Sequence, residues 1–245
     1  MTIRFLEGKT ALVTGGSRGI GAGIVRSLAE AGAHVTFTYA SASAAADALV
    51  GELAGRGLRA RAVRVDSADD KALVAAIAET AGQSGSLDIF VSSAGLLVHA
   101  PLAETSVDDY DRLFAVNVRA VFVGAKAAAS FMGEGGSIIS IGSISAERAG
   151  VEGAALYCSS KGAVQSMTRG LARDFGPRGI TVNNVQPGPI TTDMTEGYAE
   201  MLVPMIPVGR LGKPEEVGAL VAFLAGPNAR YINGASIDID GGFIA

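Results

Sequence analysis

Tryptophan is absent from the 245-residue chain, histidine occurs twice and cysteine once. A lone Cys158 excludes an intrachain disulfide framework and suits a reducing compartment. His34 and His99 are the only histidines, and with one cysteine they make no metal-ligand spacing, so no metal site is expected. Charged residues are sparse at 18%, and the formal net charge of -4 leaves no basic footprint for a nucleic-acid partner. Long apolar runs are missing as well. The richest are cut by Gly, Lys or Asp, and none is long enough to span a bilayer. The opening MTIRFLEGKTALVTG has too short an apolar run for a signal peptide and reaches a folded-domain motif at once. The expectation is a cytoplasmic protein with no membrane and no nucleic-acid partner.

Hydrophobic residues make up 49% of the chain, enough for a well-buried core, and 33 glycines are scattered without a fixed period. Short apolar runs alternate with Ala-rich helical stretches. Strands are predicted at Thr10–Thr14, Val35–Tyr39, Leu58–Val65, Leu87–Ser92, Ser137–Ile141, Ile180–Val185 and Ser236–Ile239. The third alternates Arg with small or apolar residues, so one of its faces should be wetter. Helices are predicted over residues 19–31, 42–55, 69–82, 107–131, 154–175 and 214–225. Ser106 is placed as an N-cap, with Asp108 and Asp109 near the positive helix end. Such alternation demands a parallel sheet with helices on both faces and right-handed crossovers. No repeat or linker divides the chain, so residues 1–245 are taken as one α/β domain. Pro187 to Lys213 is an irregular stretch rich in Pro, Thr, Met and Gly, the composition of a substrate lid, placed at about 188–212.

Thr14-Gly15-Gly16-Ser17-Arg18-Gly19-Ile20-Gly21 lies between the first strand and the first helix. Gly15 permits a tight turn, Gly19 lets the backbone approach a pyrophosphate, and Gly21 lets the helix pack close to the sheet. The helix start offers free N–H groups and a positive dipole end to the anion. A plain strand-to-helix turn would look similar, but the placement after the first strand favours a dinucleotide. An acid at the end of the second strand would bind a ribose 2′-OH; the strand ends instead in Tyr39-Ala40-Ser41. Arg18 could pair with a 2′-phosphate. Both points favour NADP(H) over NAD(H), although Arg18 also fits a solvated loop residue. Asp66, followed by Ser67 after the third strand, fits an adenine acceptor or a capping Asp equally well.

Tyr157-Cys158-Ser159-Ser160-Lys161 puts a phenol and an ammonium four residues apart, on one face of a helix. An ordinary phenol titrates near pH 10, and a nearby cation should lower that value. The phenol could then give a proton to a carbonyl oxygen. A surface pair at helical spacing is the bland alternative. Ser143 follows the fifth strand at the carboxyl edge, where it could hold a substrate oxygen against Tyr157. Asn117 sits mid-helix, where it could hold a water linking Lys161 to solvent or could simply bend the helix.

Together these residues resemble the short-chain dehydrogenase/reductase family over essentially the whole chain. The resemblance takes in the Thr14–Gly21 turn, Asp66, Ser93-Ala94-Gly95, Asn117, Ser143, Tyr157, Lys161 and Pro187-Gly188. It implies a doubly wound seven-stranded parallel sheet (a Rossmann fold), ordered 3-2-1-4-5-6-7. It also implies an Asn–Ser–Tyr–Lys catalytic set, with Lys161 on the nicotinamide ribose. Pro187, Gly188, Ile190 and Thr192 would border the nicotinamide, the substrate would be a small carbonyl or alcohol, and the usual form is a homotetramer. Ser93 departs from the family's common Asn-Ala-Gly. Within the family the chain is similar to bacterial 3-oxoacyl-(acyl-carrier-protein) reductases. It is still more similar to a branch described as cyclic-di-GMP-binding biofilm-dispersal proteins, through LARDFGPRGIT (171–181) and VQPGPI (185–190). That branch implies a nucleotide sensor as the alternative function.

Other residues point elsewhere only weakly. His99 is expected as a loop histidine and Cys158 as a packing residue. No G-x-S-x-G elbow supports a hydrolase. Met194, Met201, Leu202 and Met205 fit either an adaptable apolar lid or side chains packed beneath one.

Overall fold

The computed structural model describes residues 4–193 and 195–245; Met194 lies outside the described residues. The strands are β1 (Thr10–Thr14), β2 (His34–Tyr39), β3 (Ala60–Arg64), β4 (Ile89–Ser92), β5 (Ser137–Ile141), β6 (Thr181–Pro187) and β7 (Ser236–Ile239). They form one sheet in the order β3-β2-β1-β4-β5-β6-β7. Every neighbouring pair is parallel. This is the order expected from the resemblance. β6 runs on to Pro187 rather than stopping at Val185.

The helices are α1 (Gly19–Glu30), α2 (Ser43–Gly55), α3 (Asp70–Ser84), α4 (Val107–Phe114), α5 (Ala120–Ala129), α6 (Ala155–Phe175), α7 (Ala199–Leu202) and α8 (Pro214–Ala225). The strands carry almost unbroken apolar runs because helices cover both faces. Alternation along β1 divides the core. Ala11 and Val13 join Ile24, Leu28, Val217 and Val221 from α1 and α8. Leu12 faces the other way, onto Leu73 and Ile77 of α3 and Ala125 and Ala128 of α5. β3 is an edge strand and is only partly covered, in keeping with its arginines.

Two features position the site. After β1 the sheet is built outward in one direction through β2 and β3, and in the other from β4, so a crevice opens at the carboxyl ends of β1 and β4. The helix predicted over 107–131 is present but not uniform. Ser106 caps it as expected, in a reciprocal box with Asp109. Ala115–Arg119 then wind as a π-turn before α5, the kind of register break that gathers at functional sites.

The segment after β6 is less irregular than expected. Ile190 bridges to Gly212, and the Thr191 N–H donates to the Gly212 carbonyl at 2.9 Å. These contacts pinch the loop after β6 at its base. The short helix α7 and a 3₁₀ turn at Val203–Met205 lie within it.

Candidate active site

The turn after β1 is shaped for an anion. Gly15 has φ +66°, and a Cβ there would stand 2.7 Å from the Ala94 Cα, so the turn presses on the end of β4. A Cβ on Gly21 would overlap the Gly15 carbonyl oxygen. Gly21 is therefore small for the sake of the turn itself, which corrects the expectation that it serves helix-to-sheet packing. Arg18 precedes α1 without a side-chain cap, and no acid sits in the first helical turn. The amide groups there remain open to an anion. Ser17 is half-buried beside them, and Ile20 packs on the core. Thr14, whose role the sequence did not suggest, holds the far side. Its hydroxyl accepts from the Ser93 and Ala94 amides at 3.1 Å each, so this anchoring needs no side chain from Ser93. Gly95 follows, and a Cβ there would stand 3.6 Å from both Asn117 Oδ1 and Lys161 Nζ.

At the end of β2, Tyr39 packs on the core while Ala40 and Ser41 are exposed. Arg64, missed in the sequence, pairs in register with Tyr39 and donates to the Ala40 carbonyl at 3.1 Å. Its position as the last residue of β3 was the signal that could have found it. The Arg18 side chain is exposed but not free, since it donates to Asp193 at 3.1 Å. Asp66 accepts from the Ala68 amide at 2.9 Å and from Arg112 at 3.0 Å, which hold its carboxyl below the usual range. The helix cap in that segment is Asp69, and Ser67 is buried.

The expected catalytic residues converge beyond β4 and β5. Asn117, in the π-turn, accepts from the Leu96 amide at 2.8 Å and donates to the Leu96 carbonyl at 2.9 Å and to Ser160 Oγ at 3.1 Å. Ser160 is fully buried and donates to the Tyr157 carbonyl at 2.8 Å. It ties Asn117 to the helix that carries the phenol, a role not foreseen. Lys161 is buried; its Nζ donates to the Ile141 carbonyl at 2.9 Å and lies 5.5 Å from the centre of the Tyr157 ring. Ser143 is buried beside the phenol, and its Oγ accepts from the Ser145 amide at 3.1 Å.

The electrostatics depart from expectation. Burial pushes the Tyr157 phenol above its ordinary value, the Ser143 hydroxyl pulls it down less strongly, and Cys158 adds a small upward push. Lys161 is not what sets the direction. Its own ammonium is brought down to about 8 by burial. The physical reason is that burial strips water from both groups and so favours the neutral phenol and the neutral amine.

The far wall of the crevice begins at Pro187, the last residue of β6. The Gly188 amide donates to the Ile239 carbonyl at 3.0 Å, Ile190 is buried, and the Thr192 methyl stands 3.2 Å from where a Cβ on Gly19 would be. Thr195, also missed, accepts from the Thr192 amide at 3.0 Å and braces this corner. His99 is a loop histidine, as expected, joined to the Glu152 carbonyl at 2.8 Å. Cys158 is partly buried, with its thiol pushed up by burial. Met201 and Met205 point largely to solvent. Among the described residues no cluster of metal-ligating side chains occurs.

Known proteins share both sequence and shape with this chain. A family model described as "Enoyl-(Acyl carrier protein) reductase" matches residues 15–244. The "Cyclic-di-GMP-binding biofilm dispersal mediator protein" of Escherichia coli K12 is 48% identical over 96% of this chain and 97% of its own length. A short-chain dehydrogenase/reductase from Serratia marcescens superposes with a TM-score of 0.95 at 50% identity, covering 98% of this chain and 99% of that one. A short-chain dehydrogenase from Burkholderia cenocepacia, solved in complex with NADP, gives 0.95 at 47% identity over the same shares.

Proposed function

The chain belongs to the short-chain dehydrogenase/reductase family, and we propose that it is an NADP(H)-dependent reductase of ketones, aldehydes or 3-oxoacyl thioesters. The observation that carries this reading is the convergence of Tyr157, Lys161, Ser143 and Asn117 beyond β4 and β5, with Asn117 and Lys161 beside Gly95. The Gly15–Gly21 turn fits a pyrophosphate, because glycines at 15 and 21 allow its tight path and the start of α1 carries neither a side-chain cap nor an acid. Arg18 and Arg64 would meet a 2′-phosphate near the end of β2, and Lys161 would meet the nicotinamide ribose. When bound, the nicotinamide supplies the hydride.

The chain's own residues do the rest. Ser143 holds the carbonyl oxygen against the Tyr157 hydroxyl, and the phenol, protonated at neutral pH, hands over its proton as the oxygen becomes an alkoxide. The Lys161 ammonium is charged below about pH 8 and favours the phenolate left behind. Asn117 and Ser160 fix the backbone that carries both groups. Pro187, Gly188, Ile190 and Thr192 would exclude water from the nicotinamide face. The proposed oligomer is a homotetramer, supported by exposed apolar side chains such as Tyr110, Phe122 and Phe223.

An NADPH-oxidation screen over 3-oxoacyl thioesters, cyclic ketones, diketones and sugars tests the function. Tyr157→Phe should lower turnover by about 10²- to 10⁴-fold while NADPH binding stays within about twofold. Normal turnover by the Phe variant would remove Tyr157 from the chemistry. The name of the E. coli relative favours a second reading, a cyclic-di-GMP binder on the same fold. Calorimetry separates the two, since tight cyclic-di-GMP binding with no turnover across the panel would favour the sensor.

A further inference from the structure

The Arg18 guanidinium has two anionic partners that compete for it. It donates through Nη1 to Asp193 Oδ2 at 3.1 Å. Asp193 belongs to the lid and comes directly after Thr192, whose methyl packs toward Gly19 of the phosphate turn. This is the only ion pair among the described residues that joins the turn to the lid. The second partner is the 2′-phosphate of the cofactor, so the inference rests on the NADP(H) reading. A carboxylate and a phosphate repel each other on one guanidinium, and the one with more charge wins.

We propose that Asp193 tempers the preference for NADP(H): it pairs with Arg18, and the 2′-phosphate of NADP(H) must displace it. NAD(H) carries no such phosphate and leaves the Arg18–Asp193 pair in place. Asp193 therefore weakens binding of the phosphorylated cofactor selectively. Both side chains are well exposed, at 69% and 72%, so the competition is modest and screened by salt.

The experiment is calorimetry at low ionic strength with NADPH and NADH on the wild type, Asp193→Asn, Arg18→Gln and the double variant. Asp193→Asn should tighten NADPH by about threefold and leave NADH unchanged. Arg18→Gln should weaken NADPH by about tenfold or more and erase the gain in the double variant. Equal tightening of both cofactors would overturn the proposal, because loss of one negative charge near the pyrophosphate would then suffice. No tightening of NADPH, or a gain that survives in the Arg18→Gln background, would overturn it too. If the wild type does not prefer NADPH to NADH, the cofactor reading itself fails, and this proposal falls with it.

Discussion

The floor of the crevice and the loop after β6 are built by opposite means. On the floor, Asn117, Ser160 and Lys161 are 2%, 0% and 5% exposed, and each has a protein hydrogen-bond partner. On the loop, Tyr198, Met201 and Met205 are 53%, 55% and 50% exposed. This loop is held by the Ile190–Gly212 bridge, by Thr195 and by Arg18–Asp193. A buried donor without a partner costs about 1–3 kcal/mol, so the floor tolerates one arrangement only. An exposed side chain trades protein contacts for water at little cost. Under the proposed function, proton transfer would fall on the rigid part and the choice of substrate on the part that can vary.

Asn117→Ala should do the most damage to that contrast. It removes three hydrogen bonds and orphans the Leu96 amide and carbonyl. Chemical denaturation should show a loss of about 3 kcal/mol, and kcat/KM should fall about 100-fold through misplacement of the phenol. A variant that kept full activity would show that these bonds do not hold the floor. Ser160→Ala is expected to be milder, about 1–2 kcal/mol with roughly tenfold in kcat and little change in KM.

The pH profile sharpens the same comparison. Lys161 is lowered from 10.5 to about 8, so its ammonium is present below that pH and lost above it. For the reductive direction, kcat/KM should hold steady near neutrality and decline above about pH 8. A profile flat to pH 10 would mean that the charge is not needed. Stability should respond in the opposite sense. Between about 8 and 10.5 the unfolded chain keeps a proton that the folded chain has released, so this residue's contribution to stability rises with pH across that window. The smallest effect is expected on the lid. Met205→Ala should change stability by less than about 0.5 kcal/mol, while KM shifts differently from one ketone to another; a large stability loss would show the lid to be part of the core.

Much of the fold was legible because its signals are local. β1, β5, β7 and α8 begin and end where their apolar runs and caps predict. The strand order came from the family resemblance, and the positions of Tyr157 and Lys161 on one helix face followed from their spacing. The π-turn at Ala115–Arg119 was not legible, since no residue type demands it and the Asn117 bonds to Leu96 and Ser160 that it serves are long-range. The roles of Ser160 and Thr14 escaped for the same reason: each depends on a partner distant in the chain.

Period, spacing and turn chemistry by themselves determined a parallel α/β domain, an anion-binding turn and a phenol–ammonium pair, because each is settled within a few residues of backbone geometry. Only the tertiary structure decided that the ammonium is discharged near pH 8, that the phenol lies above its ordinary value, and that Arg18 reaches Asp193. Burial and long-range pairing depend on which distant groups replace water around a charge, and that is a property of the packed whole.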